Sequence, residues 1–424
     1  MARPIKFLHA ADLHLGASFI GAQLRDEKLG TSLREAVQSA YMRVIDTALD
    51  EQVDFVCLAG DLFNAAESDY RAQGIFIEGL RKLDEADIPV YLVTGNHDPL
   101  DGSDRLPLPK NTHCFDTEKV EEQLFEKDGV QSCAIYGRSY PYSEVNSNYA
   151  QGYKRTSSAD NAIGILHTNI GTASAGERYA RCELSDLKNA QLDYWALGHI
   201  HLTNVLSENR PCIVYAGSPQ ALNINETGKH GCYVVELDRG SASYTWHNTN
   251  LIEMVQLSVN ISDVDTINDV RELIKNAIVT ACPVADSASY LVRITLTGVS
   301  HLDEQLDEDS LIMLYDSCHE YLTGPAPHVH LDSKIVNETT SDVSKEMHET
   351  TNEFLRSFLD IPAKDFLENF DVKSVLEEKP KDFAQTCPQE NDELIATFSD
   401  EAKLSELYNE AQELLYRMLA KGEK

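Results

Sequence analysis

Short apolar runs alternate with longer amphipathic segments near the start of the chain. Residues 5–10, 55–59 and 90–94 are unbroken apolar runs, which are typical of strands buried on both faces of a parallel sheet. Segments 31–52 and 69–86, which separate them, have the length and apolar spacing of helices. The alternation predicts a βαβαβ unit, a parallel sheet with crossover helices.

The first of these helices has a boundary signal as well as an apolar face. Ser32 and Glu35 have the spacing of a capping box, which predicts a start near residue 31. Its apolar stripe consists of Leu33, Val37, Tyr41, Val44, Ala48 and Leu49.

The rest of the chain predicts further strands and then helices. Apolar runs at 162–166 and 194–197 are followed by 212–215, 231–237 and 243–246, which we interpret as sequential antiparallel strands. We place a first domain at 1–251, a smaller α/β capping domain at 252–330 and an acidic helical region at 331–424. The last helix carries a four-three stripe of Leu404, Tyr408, Ala411, Leu415 and Met418. This stripe fits either packing on its own domain or binding to a partner's coiled coil.

Composition narrows the class of protein. The nine cysteines form no CxxC pair and no segment resembles a signal peptide or a membrane span, which favours a reducing cytoplasm and no membrane contact. The net charge of −33 excludes a protein that holds phosphodiesters by its own bulk charge. Any phosphate-binding surface must therefore be local, supplied by metal ions or contributed by a partner.

Metal-ligand side chains follow five of the predicted strands. Because Asp12 and His14 are separated by one residue on an extended segment, they project to one side, and His199 and His201 share this spacing. Imidazole, carboxylate and amide donors together suit a pair of divalent ions, Mn first, with Fe, Zn or Mg as alternatives. Asp61 is placed to bridge them. The strand-end set is Asp12, His14, Asp61, Asn96, His97, His167, His199 and His201.

The other histidines have no such context. We interpret them as surface or hydrogen-bonded core residues: His9, His113, His230, His247, His319, His328, His330 and His348.

These motifs resemble the calcineurin-like metallophosphoesterase signature. The surrounding text "FLHAADLHLG", "AGDLF", "TGNHDPLD" and "YAGSPQ" is similar to the bacterial DNA repair exonuclease branch of the SbcD and YhaO type. The resemblance covers residues 5–238 and implies a four-layer αββα sandwich. It implies one ion held by Asp12, His14, Asp61 and His201. It implies a second ion held by Asp61, Asn96, His167 and His199.

The resemblance also implies a mechanism. A hydroxide bridging the two ions would attack phosphorus in line, and His97 would stabilise or protonate the leaving oxygen. Relatives carry His or Asp where this chain has Asn64, a position that orients the catalytic histidine in many phosphoesterases. Asn64 can hydrogen-bond an imidazole but cannot stabilise its cation as a carboxylate would, so we expect slower chemistry or a shifted pH optimum.

Substrate and partners follow from the family. The resemblance implies DNA exonuclease or endonuclease activity in DNA repair, with an SbcC-type ATPase as partner and with homodimers. Local DNA contacts are predicted at Arg105, Lys110, Arg138, Lys154 and Arg155, interleaved with Tyr140, Tyr142, Tyr149 and Tyr153. An ordinary surface loop is the competing interpretation. Two alternatives stay open for the function: a phosphatase or phosphodiesterase of small substrates, and a non-catalytic metal-binding subunit of an ATPase complex.

Overall fold

The first large sheet is built around the predicted parallel unit. The computed structural model describes residues 4–19, 27–64, 70–100, 106–171, 179–283, 289–322 and 328–340, with Tyr408, Ala411 and Gln412. The sheet has the order β12-β11-β1-β2-β3-β4. Its strands are β1 (Ile5–Ala10), β2 (Phe55–Ala59), β3 (Val90–Val93), β4 (Thr112–Cys114), β11 (Gly231–Asp238) and β12 (Ser241–Asn248). Strands β1 to β4 are parallel, so the predicted βαβαβ unit is confirmed.

Two helices cover the outer face of this sheet, α1 (Glu27–Asp50) and α2 (Tyr70–Glu85). The first begins earlier than predicted, which places Ser32 inside the helix, and the capping-box assignment is therefore wrong. The reason is Leu29, which is buried one turn before Leu33 and extends the apolar stripe toward the N-terminus. Both helices pack on the sheet residues Leu8, Val56 and Leu58.

The second large sheet faces the first. It has the order β5-β6-β7-β8-β10-β9. Its strands are β5 (Glu121–Lys127), β6 (Val130–Gly137), β7 (Asn161–His167), β8 (Tyr194–Gly198), β9 (Asn204–Ser207) and β10 (Cys212–Tyr215). The predicted antiparallel run from 212 to 246 is wrong in part, because β10 lies in this sheet and pairs with β8 in parallel.

The core between the two sheets is aromatic and aliphatic. Phe7 and Phe55 stack there at a ring-centroid distance of 5.3 Å, and Tyr194 of β8 meets Phe7 edge-on. On the far side of the second sheet a separate cluster surrounds the buried Trp195, next to the short helix α3 (Leu184–Asn189). The predicted architecture of two facing sheets with outer helices is confirmed.

A third sheet follows residue 251. It has the order β13-β14-β15, with β13 (Ile252–Asn260), β14 (Ser289–Thr297) and β15 (Val329–Asn337). Two helices belong to this part of the chain, α4 (Ile267–Ala281) and α5 (Glu308–Leu322). Strand β15 crosses residue 330, where the second predicted domain ends, and the domain boundaries stay a prediction. The predicted C-terminal stripe lies outside the described residues except for Tyr408 and Ala411.

The segment 221–228 joins the third sheet to the first two. Ala221 and Ile224 share an apolar cluster with Leu29 and Leu33 of α1 and with three residues of the third sheet, namely Ile252, Met254 and Leu291. Gln256 of β13 donates hydrogen bonds to the carbonyl of Ile224 (3.2 Å) and to the side chain of Asn225 (2.8 Å).

The chain divides into two compact units. The first comprises 1–259, 271–295 and 311–336, and the second comprises 260–270, 296–310 and 337–424. Among the helices that the structure describes, none is long and apolar enough to cross a membrane.

Candidate metal centre

The loops that follow β1, β2 and β8 are held in an unusual backbone conformation. Asp12, His14, Asp61 and His199 have positive φ angles of 52°, 44°, 49° and 102°. Such angles are uncommon in residues other than glycine and persist where the surroundings fix them, often at functional sites. Here the loops bind each other, with the amide of Asp12 donating to Gly60 (3.0 Å) and that of His14 to Asp61 (3.0 Å). The polar side chains are therefore presented by a rigid frame.

Two glycines keep the centre compact. A Cβ at Gly60 would overlap the ring of His167, and Gly60 also has a φ of 91° that suits glycine. A Cβ at Gly95 would overlap the carboxylate of Asp61. Both positions follow strands of the first sheet, and larger residues there would push the ligand side chains apart.

The structure brings all seven predicted ligands to the same end of the facing sheets, in two overlapping groups. In the first, His14 Nε2 lies 3.0 Å from His201 Nε2 and 3.7 Å from Asp61 Oδ2. Ligand atoms of Asp12, His14 and His201 fall within 4.8 Å of one another.

The second group lies around His167. Its Nε2 atom is 3.0 Å from Asn96 Oδ1 and 3.4 Å from Asp61 Oδ2. The side-chain oxygen of Asn96 is also 3.3 Å from His199 Nδ1. Asp61 thus contacts both groups, as a bridging ligand must. The assignment of these residues as metal ligands stays a prediction.

Burial and close charges shift the pKa values of the group. Burial raises the pKa of Asp12 to about 6 and lowers the pKa values of His14 and His199 to about 3. Burial opposes the charged form of His167 too, but the neighbouring Asp61 and Asp12 carboxylates raise its pKa to about 9. Burial likewise opposes ionisation of Asp61, and its imidazole neighbours nevertheless hold its pKa well below the usual range. Two buried carboxylates therefore lie among imidazoles that compete for few protons.

The residues fit a pair of divalent ions. His14 and His201 point ring nitrogens at each other across 3.0 Å, although only one of them can donate if both rings are neutral. The other nitrogen of His14, Nδ1, is buried without a hydrogen-bond partner among the described residues. Imidazole nitrogens with carboxylate and amide oxygens form a donor set that suits Mn, Fe or Zn. We therefore describe this site as a candidate di-metal centre.

His97 lies at the exposed side of the centre. Its ring meets that of His14 edge-on at a centroid distance of 4.9 Å, and its amide donates to Asp61 Oδ1 (2.9 Å). Its Nδ1 atom lies 3.0 Å from the main-chain carbonyl oxygen of Asn64. This contact uses the backbone of Asn64, whereas the sequence argument relied on its side-chain amide. The catalytic roles of His97 and Asn64 stay predictions.

Two carboxylates near the centre are absent from the predicted set. Asp98 accepts hydrogen bonds from the amides of Gly95 (2.7 Å) and Leu62 (2.8 Å), and so ties the loops after β2 and β3 together. Burial, with the nearby charge of Asp61, raises the pKa of Asp98 to about 8. Its position directly after His97 could have indicated this role.

The second missed carboxylate is Glu226, whose Oε1 atom lies 2.9 Å from His201 Nδ1. Burial opposes its ionisation, but the hydrogen bond and charge of His201 hold the pKa of Glu226 below its usual value. No sequence signal marks it, because it lies in a polar loop far from its partner along the chain.

The predicted nucleic-acid patch is wrong in its aromatic part. Tyr140, Tyr149 and Tyr153 are buried in the cluster around Trp195, whereas Tyr142 is 68% exposed. The cations are engaged as well: Arg138 lies 3.8 Å above the Tyr149 ring, and Arg155 pairs with the buried Asp193 at 3.0 Å. Arg105 lies outside the described residues. These tyrosines pack the core and cannot stack on bases.

Two of the other histidines confirm the core interpretation. His9 is buried between the Tyr194 hydroxyl (3.1 Å) and the Leu197 carbonyl (3.2 Å), and burial lowers its pKa to about 3. His230 is buried and hydrogen-bonded to Ser218 and to the Glu226 carbonyl. His348 lies outside the described residues.

Comparison with known proteins agrees with the fold and the centre. Residues 5–202 match the model of the calcineurin-like phosphoesterase family, and residues 255–337 match the middle domain of metallophosphoesterase YhaO. The uncharacterized metallophosphoesterase YhaO of Bacillus subtilis is 34% identical over 65% of this chain and 68% of its own length. The DNA double-strand break repair protein Mre11 of Sulfolobus acidocaldarius is 24% identical over 64% and 72%. The SbcD component of nuclease SbcCD from Staphylococcus epidermidis is 27% identical over 54% and 65%.

The fold, the clustered donors and these matches define a metal-dependent phosphoesterase, and the chain belongs to the calcineurin-like metallophosphoesterase family. Within that family its homologues YhaO, Mre11 and SbcD belong to the SbcD/Mre11 group.

Proposed function

We propose that this protein is a DNA nuclease that cleaves phosphodiester bonds with two divalent ions, Mn first and Fe, Zn or Mg as alternatives. The observation that carries the proposal is the position of Asp61 between two groups of imidazole and oxygen donors. The names of two relatives, a double-strand break repair protein and a component of a nuclease, support DNA as the substrate.

The side chains divide the work of the centre. Asp12, His14, Asp61 and His201 would hold one ion. Asp61, Asn96, His167 and His199 would hold the other. Ions bound there would polarise the phosphoryl oxygens and lower the pKa of a water molecule toward neutrality.

His97 supplies the proton chemistry. Its Nδ1 contact with the Asn64 carbonyl fixes the ring and leaves Nε2 free toward the solvent-exposed side. A protonated Nε2 there can donate to the leaving oxygen of the substrate. Asp98 keeps this loop in place through its bonds to Gly95 and Leu62.

The charge of the chain bears on its partners. A net charge of −33 disfavours unaided binding of DNA. We therefore propose an SbcC-type ATPase as the partner that contributes a basic DNA surface, in the cytoplasm, with the nuclease as a homodimer. The same charge, together with the buried tyrosines, favours a second candidate function, hydrolysis of a small phosphoester without a partner.

The test is Mn²⁺-dependent degradation of end-labelled linear duplex DNA, run beside hydrolysis of an aryl phosphodiester. We expect wild type to degrade the DNA, and Asp61→Asn and His97→Gln to lose activity on both substrates. His113→Gln, a partly buried histidine paired with Glu121, is the matched control and should keep activity. Hydrolysis of the aryl ester with intact DNA, even when the ATPase is added, would contradict the nuclease and support the small-substrate function.

A further inference from the structure

Glu226 lies behind the ring of His201. Its Oε1 atom is 2.9 Å from Nδ1 of His201, while the Nε2 atom of the same ring faces His14. Both side chains are mostly covered, with relative exposures of 26% for His201 and 18% for Glu226. The contact therefore joins the two residues on the side of the ring that faces away from the centre.

The carboxylate is itself fixed. Its second oxygen, Oε2, accepts a hydrogen bond from the amide of Leu222 (2.8 Å). The main-chain carbonyl of Glu226 lies 3.1 Å from Nε2 of the buried His230, whose other nitrogen lies 2.9 Å from the Ser218 hydroxyl. The amide of Ser218 in turn donates to the carbonyl of His201 (2.9 Å). The loop from 218 to 230 thus closes on His201 at both its side chain and its backbone.

We infer that Glu226 is the positioning residue for His201, a role that rests on the proposed metal centre. An imidazole that donates its Nδ1 proton to a carboxylate keeps Nε2 free as a lone-pair donor. The carboxylate also orients the ring and makes it a stronger base. Without this acceptor the ring can rotate or place its proton on Nε2, which would block ligation. Glu226 acts through His201 and does not touch the reacting atoms.

The experiment compares two substitutions that preserve side-chain length. Glu226→Gln keeps an acceptor oxygen for His201, whereas Glu226→Met fills the same space without one. Mn²⁺ binding to the whole protein is measured by isothermal titration calorimetry, with bound Mn²⁺ counted by electron paramagnetic resonance and folding checked by circular dichroism. We expect Glu226→Met to weaken one of the two ions by about 10- to 100-fold and Glu226→Gln to recover part of that loss.

A double-mutant cycle separates positioning from a general effect on folding. If Glu226 acts only through His201, adding Glu226→Met to His201→Ala will cause no further loss of Mn²⁺ affinity. Thr227→Ala, at the exposed neighbouring residue, is the control and should bind as wild type.

The outcomes are distinct. Two ions bound equally by wild type and by Glu226→Met would overturn the inference and leave the metal centre standing. Full additivity of the two losses would overturn it as well. Failure of wild type to bind two ions would contradict the proposed centre itself.

Discussion

At the scale of single residues, burial and close charges set the protonation of the centre before any ion binds. His167 keeps its proton because Asp61 and Asp12 surround it, and its pKa is raised to about 9 despite burial. Asp12, with a pKa raised to about 6 mainly by burial, holds a second proton only in mild acid. An ion that binds His167 must displace the first proton at neutral pH, because ligation requires the neutral ring.

This predicts a pH dependence of metal affinity with a definite sign. Between pH 7 and pH 8 the metal-free protein carries the His167 proton, so each displaced proton makes Mn²⁺ affinity rise about tenfold per pH unit. The rise should level off above about pH 9, and below pH 6 the Asp12 proton should make the dependence steeper. Calorimetry in buffers with different ionisation enthalpies counts the protons released. An affinity that is constant between pH 7 and pH 8 would contradict the protonated His167.

At the scale of elements, local patterns predicted the parts of the fold that depend on local periodicity. The β1-α1-β2-α2-β3 unit followed from unbroken apolar runs separated by helical stripes. The place of β10 did not, because the four residues Cys212–Tyr215 do not show which strand they will pair with. The ligand residues at strand ends were predictable for the same local reason. The role of Glu226 was not, because it depends on how a loop folds back on His201.

The packing of the two outer helices gives a test with a matched control on one helix. A Cβ at Gly79 of α2 would overlap the ring of Tyr41 on α1, whose hydroxyl donates to the Phe76 carbonyl (2.9 Å). We expect Gly79→Ala to lower the free energy of unfolding by about 1–3 kcal/mol, the usual result of overpacking. Gly74→Ala, where a Cβ would meet nothing within 4 Å, should raise it by about 0.5–1 kcal/mol through helix propensity.

Urea unfolding of the metal-free variants measures both changes. Equal effects of the two substitutions would show that α1 and α2 do not pack closely at Gly79.

At the scale of the whole molecule, charge and site conflict. The centre suits a polyanionic substrate, whereas the chain carries a net charge of −33. A DNA-binding protein that relies on many phosphate contacts loses about 10³- to 10⁵-fold in affinity between 50 and 200 mM salt, because it releases counterions. An acidic nuclease has few such contacts, and salt screens its repulsion from DNA.

We therefore expect the KM of the isolated protein for linear DNA to change little, or to fall, between 50 and 200 mM KCl. Addition of a basic ATPase partner should restore the usual weakening by salt. Steady-state cleavage rates at several DNA concentrations measure both. A steep rise of KM with salt for the isolated chain would show that it carries its own basic DNA surface.

The segment 221–228 makes the centre responsive to force. One side of it holds the oxygen that faces His201, and the other side is fastened to β13 through Gln256 and to the apolar residues Met254 and Leu291. The path from the third sheet to a ligand side chain is thus a lever with Asn225 and Glu226 at its pivot. A molecule that grips the third sheet and tilts it would move the Glu226 carboxylate, detuning one ligand without ever reaching the catalytic cleft.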